Sequence, residues 1–199
     1  MATIKDWKDV TLGVFKRVNE ISTREDEMER AIGLVALFNH MKESEVLDMP
    51  LDDFKALLAD MGWMETPPDI IMPREHYVIN GKEYTLTMDF HKLSTGQYID
   101  FQSYAKGKNA YEQMLSVFLI PKGKKYNTDY DVLEVQRDVL EMPVGEVLGL
   151  MGFFIILYRS WSAALLRYSS RMLRKDRTPE GKKMRKKLKE AADMFGFRW

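Results

Sequence analysis

Residues 143–175 read PVGEVLGLMGFFIILYRSWSAALLRYSSRMLRK, and whether this stretch faces lipid or protein decides the fold. Its uncharged run extends only from Val147 to Tyr158, twelve residues bounded by Glu146 and Arg159. A bilayer-spanning helix needs about 20 apolar residues, whereas a run of 10–14 suits a helix buried in its own protein. The spacing therefore predicts one long central helix, enclosed on all sides over Val147–Tyr158 and about 50 Å long if it continues to Lys175 at 1.5 Å per residue. Gly145, Gly149 and Gly152 would let another backbone approach it closely. Beyond Tyr158 the pattern becomes two-faced. Trp161, Leu165, Tyr168 and Met172 share one side at 100° per residue, and Arg159, Arg167, Arg171 and Arg174 lie opposite. Such an arginine face suits a docking arm for an acidic partner, and equally a solvated surface helix.

Charge is distributed as unevenly as apolarity. The 199 residues hold 30 Lys/Arg and 30 Asp/Glu. From Arg159 onward there are 13 basic and 4 acidic residues, so the net zero conceals a surplus of nine there and an equal deficit before it. This is an acidic body with a basic end, and the two neutralise each other within a fold, between subunits, or against a separate anionic partner. The last segment, TPEGKKMRKKLKEAADMFGF, repeats the arm's design, with Thr178 as cap, Pro179 in the first turn and Gly196 as stop. Met184, Leu188, Ala191 and Phe195 fall on one side, while Lys182, Lys183, Arg185, Lys186, Lys187 and Lys189 crowd the others. The four arginines and these six residues are the candidate partner-binding set.

Upstream of the long helix the periodicity is also mostly helical. Ile4, Trp7, Thr11, Phe15, Val18 and Ile21 recur at helical spacing, predicting a first helix that runs through them. A second opens at Ser22 or Thr23, followed by acids that suit a helix N-terminus, and buries Met28, Ala31, Ile32, Val35 and Phe38. SEVLDMP reads as a short helical turn or connector. A further helix has Pro50 in its first turn, an apolar face of Phe54, Leu57, Leu58 and Met61, and Gly62 as stop. Three prolines between 67 and 73 break any helix. The chain accordingly divides into an N-terminal helical subdomain (1–64), a proline-rich linker (65–75), a hairpin plus helical core (76–177) and a basic amphipathic C-terminal helix (178–199).

The hairpin, over about residues 76–89, is the one strong β signal. Asn80-Gly81 is the type I′ turn pair, flanked by Tyr77-Val78-Ile79 and Tyr84-Thr85-Leu86-Thr87. After it, helices are predicted from Ser94 or Thr95, over NAYEQMLSVFLIP to Pro121, and over VLEVQRDVLEM, with KGKKYNTDYD as a loop. The fold class is thus mainly α, with one hairpin, a long central helix and a basic helical arm.

The residues offer little for catalysis. Absence of cysteine removes disulfides, thiolate metal sites and a cysteine nucleophile. His40, His76 and His91 lack metal-ligand spacing, and no phosphate-binding or nucleophile-elbow motif occurs. NTDYD lacks the spacing and terminal glutamate of a calcium loop. No cofactor, metal or catalytic residue is expected, although His76 and His91 with Asp89 flank the hairpin and would be the place for an enzyme site. Basic residues with Trp161, Tyr168 and Trp199 would also suit nucleic acid, except that the helix's aromatics lie away from its arginines. Fourteen methionines suit adaptable apolar surfaces, and Met61, Met64, Met72 and Met88 cluster around the linker and hairpin. They equally suit filling a core.

The order SEVLDMPLDDFKALL, YVINGKEYTL, KLSTGQYIDFQSYAK, MLSVFLIPKGKKYNTDYD and MPVGEVLGLMGFFIILY, across roughly residues 25–160, resembles small proteins of tailed-phage structural modules, in particular tail assembly chaperones. Its most specific piece is LSTGQYIDFQ followed by FLIP. The resemblance implies a non-enzymatic protein that coats the hydrophobic tape measure polypeptide while tail subunits assemble around it in the host cytoplasm. Other phage structural proteins, and further copies of the chain, would be its partners. The basic C-terminal arm has no counterpart in that pattern, which leaves a virion or connector protein binding nucleic acid or an acidic partner as the alternative.

Overall fold

The computed structural model describes residues 4–89, 92–107, 110–158 and 178–194. The protein is mostly helical with one small antiparallel sheet. It folds as two compact units, Met1–Met151 and Gly152–Trp199.

In the first unit the helices are α1 (Leu12–Ser22), α2 (Glu27–Phe38), α3 (Glu43–Leu47), α4 (Leu51–Ala59), α5 (Thr95–Tyr104), α6 (Tyr111–Phe118) and α7 (Val132–Leu140). A further helix, α8, is described from 144 to 158 and crosses the boundary between the units. The second unit also holds α9 (Pro179–Met194). The strands β1 (His76–Ile79), β2 (Lys82–Leu86) and β3 (Leu119–Pro121) form one sheet in that order.

The first predicted helix begins later than its periodicity suggests. Trp7–Asp9 form a short 3-10 turn, and α1 starts only after Thr11, whose side chain accepts the Val14 amide. The break has a tertiary cause. Val10 and Thr11 are drawn out to pair with the entry to α8, where the Val144 amide donates to the Val10 carbonyl and the Leu12 amide to the Met142 carbonyl at 2.8 and 2.9 Å. Likewise α2 is capped not by Ser22 or Thr23 but by Asp26, which accepts the Glu29 amide. Ser22 and Thr23 donate their hydroxyls back to the carbonyls of Val18 and Glu20, closing α1 instead. At α4, Pro50 is the N-cap, and the helix ends at Ala59, ahead of Gly62.

The hairpin forms as its turn pair dictates. Asn80 and Gly81 take φ of 50° and 75°, the left-handed conformation that a type I′ turn demands at both central positions, and Ile79 pairs with Lys82. A third strand was not expected. Helix α6 stops at Phe118, and Leu119–Pro121 extend to pair with β2, Leu86 opposite Leu119 and Tyr84 opposite Pro121. The apolar periodicity of FLIP continues that of the helix, so only the partner strand distinguishes the two conformations. Ser94 caps α5 reciprocally with Gln97, which also donates from its amide to the Val117 carbonyl and so ties α5 to α6.

Two apolar clusters hold the N-terminal helices. In one, Val10, Val18, Ile21, Leu37, Phe38 and Val144 are buried together, with Trp7, Trp63 and Leu148 packed against them. Trp63 meets Trp7 and Phe38 edge-on at centroid distances of 5.0 and 5.3 Å. In the other, Val35, Ala36, Val46 and Phe54 bring α2, α3 and α4 together. The N-terminal helices and most of the hairpin core belong to the same compact unit, and the backbone of the proline-rich segment between them reaches α8. The Ile71 amide donates to the Gly145 carbonyl at 3.1 Å. A Cβ at Gly145 would overlap the Asp69 carbonyl oxygen, and one at Gly149 the Ile71 carbonyl oxygen. The segment's backbone therefore lies directly on α8, as the glycine spacing anticipated for these two positions. Gly152 has open space around its Cβ position.

The expectation that α8 is enclosed on every side needs correction. Val144, Val147, Leu150 and Phe154 are buried, but Ile155 and Ile156 are 55% and 68% exposed. Buried positions recur every three or four residues, so the helix buries a face rather than its whole circumference. Its continuation toward Lys175, including Trp161, Leu165, Tyr168 and Met172, lies outside the described residues.

Candidate protein-interaction surfaces

A side chain with three hydrogen-bond donors around it connects the hairpin to α7. Asp138 is buried on the inner face of α7 between Val135 and Val139. Its Oδ1 accepts the Asn80 amide at 2.9 Å, and its Oδ2 accepts Lys82 Nζ at 2.9 Å and the Tyr84 hydroxyl. Lys82 Nζ also reaches Glu134 at 2.7 Å. Burial pushes the Asp138 carboxyl upward, but the hydrogen bonds from Tyr84, Asn80 and Lys82, together with the lysine's charge, outweigh it and hold the group below the usual carboxylate range. The Tyr84 hydroxyl shifts far upward, through burial first and then its bond to Asp138. Each Asp138 oxygen is satisfied from within the chain, so the group acts as a clamp on the turn and strand. The signal for it was an aspartate falling inside the apolar stripe of α7, beside Val135 and Val139. A second tyrosine–aspartate bond, from the Tyr126 hydroxyl to Asp100 Oδ2 at 2.8 Å, fastens the loop before α7 to α5.

His76 is exposed at the start of β1, opposite Thr85, and His91 lies outside the described residues. Among the described residues no group of three or more His, Asp or Glu could hold a metal ion. No described helix is long and apolar enough to cross a membrane.

Of the candidate basic set, Lys182, Lys183, Lys186, Lys187 and Lys189 are exposed on α9, and Met184, expected on its apolar side, is also exposed. Arg185 belongs to the same helix, but its side chain lies outside the described residues. Arg159, Arg167, Arg171 and Arg174 lie wholly outside them, so the structure brings the lysines together on one helix and does not join them to the arginines.

Two exposed apolar surfaces occur in the first unit; of their residues the sequence pattern had singled out Met72 for such a surface, while it had expected Met28 to be buried. One is the strip Ile70-Ile71-Met72, 68%, 41% and 76% exposed, on the segment seated against α8. The four methionines grouped around the linker and hairpin divide here. Met61 and Met64 pack against the core, whereas Met72 and Met88 are exposed. The other surface is a groove between α2, α3 and α4, floored by Val46 and Phe54 and rimmed by Met28, Leu47 and Leu51.

No known protein family, curated protein or solved structure matches this chain.

Proposed function

We propose that this chain works by protein–protein contact, as an assembly factor of the tail-chaperone kind that shields an apolar, helical client polypeptide while other phage subunits gather on it. The observation that carries this reading is the strip Ile70-Ile71-Met72. Ile70 and Met72 are presented outward, and Ile71 between them rests partly against α8, on a backbone that Gly145 and Gly149 hold against that helix. A held backbone loses little further entropy on binding, and unbranched methionine adapts its shape to differing client side chains. The client is tested by co-expressing the full chain with the product of a very long helical reading frame immediately downstream of its gene. The chain should keep that product soluble, and Ile70→Ser/Met72→Ser should lose this at an unchanged melting temperature. Equal solubility with the wild type and the double variant would overturn the reading.

A second reading, a basic-arm binder of nucleic acid, is favoured by the five exposed lysines of α9. Phosphate contacts by these groups would make DNA affinity fall steeply with salt. Absence of binding at low salt would remove it.

A further inference from the structure

We infer that the groove between α2, α3 and α4 is a self-association site, and that it takes the basic amphipathic helix α9 of a second copy of this chain. The groove holds about 220 Å³. That is below the roughly 300–1,000 Å³ of small-ligand pockets and suits the anchoring side chains of a helix laid across it. Its rim is apolar and outward-facing, with Met28, Leu47 and Leu51 at 58%, 67% and 63% exposure, over a buried floor of Val46 and Phe54.

Charge identifies the occupant. Residues 25–59, which build the groove, contain nine Asp/Glu and three Lys/Arg. Glu43 pairs with Arg24, and Glu45 accepts the Lys42 amide, so these two serve the fold. Glu27, Glu29, Asp48 and Asp53 remain exposed around the groove's helices. Helix α9, residues 179–194, contains six Lys/Arg and three Asp/Glu, with five lysines exposed and Met184 outward among them. Leu188 follows Met184 at i+4, the spacing of anchors in helix-in-groove recognition. An apolar slot with an acidic surround is complementary to an apolar stripe with basic flanks, and both are carried by one sequence whose net charge is zero.

A groove on one copy and a helix on the next make a head-to-tail contact, which propagates or closes into a ring. This association is separate from client capture, because neither surface includes Ile70 or Met72.

Sedimentation of the full chain across a concentration series, at low and high salt, tests it. The mass should rise with concentration at low salt and fall back toward the monomer at high salt, as rim charges are screened. Leu47→Asp/Leu51→Asp and Lys183→Glu/Lys186→Glu/Lys187→Glu each change exposed residues and should keep the wild-type circular dichroism. Each should weaken self-association about tenfold or more. The mixture is decisive. One variant retains the helix and the other the groove, so together they should form a dimer and nothing larger. A wild-type chain that stays monomeric, with or without α9 folded into its own groove, would overturn the inference. So would variants that associate like the wild type, or a mixture that remains monomeric.

Discussion

Asp138 and the strip Ile70-Ile71-Met72 depart in opposite directions from the rule that polar groups lie outside and apolar groups inside. Asp138 is a charge in the interior, and Asn80, Lys82 and Tyr84 supply donors to both of its oxygens. The strip is apolar surface left in water, and its backbone is fixed while Ile70 and Met72 are uncovered and Ile71 is only partly covered. Burying a carboxylate is tolerated where hydrogen bonds replace water. Three adjacent exposed apolar side chains have no equivalent compensation within the folded unit, and such patches mark contact surfaces. The first departure is completed inside the chain, and the second invites completion from outside.

The largest expected effect comes from detaching the strip. Gly149→Val places side-chain atoms where the Ile71 carbonyl lies, so either α8 or the strip must move. Overpacking of this kind costs about 3 kcal/mol, measurable as a lower urea midpoint, and client capture should fall with it. Next is the clamp. Asp138→Ala leaves the Tyr84 hydroxyl and the Asn80 amide without their acceptor, which should cost about 2–3 kcal/mol in the same titration. Tyr84→Phe removes one donor and keeps the ring, and should cost about 1 kcal/mol.

The clamp also predicts a pH profile. The folded-state carboxyl of Asp138 lies below its unfolded value of about 3.9, so its stabilisation is present above that pH and is lost as pH falls through the folded value. Tyr84 runs the other way. Its folded value lies above the unfolded one of about 10, so its contribution holds below pH 10 or so and is lost as pH climbs toward the folded value. Urea midpoints measured against pH should fall at both extremes, and Asp138→Asn should flatten the acid limb. The smallest stability effect belongs to the strip's side chains. Ile70→Ser/Met72→Ser should change stability by no more than about 0.5 kcal/mol while removing client capture, which separates the two regions cleanly.

Local chemistry made part of this legible in the sequence. The hairpin was readable because Asn80-Gly81 specifies its turn without help from the rest of the chain, and the mainly helical class followed from apolar period. The glycine spacing of α8 announced a close backbone approach, and Gly145 and Gly149 accommodate one. What was hidden depends on partners far away in sequence. The break at Val10–Thr11 answers to residues 142–144, and β3 exists because β2 offers it an edge. Asp138 meets groups more than fifty residues upstream. The strip was concealed by its own reading, since prolines mark the absence of a helix and say nothing of which apolar side chains then face water. The lysines of α9 were legible as an exposed basic set, while Arg159, Arg167, Arg171 and Arg174 lie outside the described residues.

The most direct measurement is site-specific photocrosslinking in the full chain, with the crosslinking side chain placed at Met72 and, separately, at Lys186 on α9, in cells that co-express the downstream helical polypeptide. Contact through the strip predicts a client adduct from position 72 and none from position 186. Client adducts from position 186 alone would contradict it.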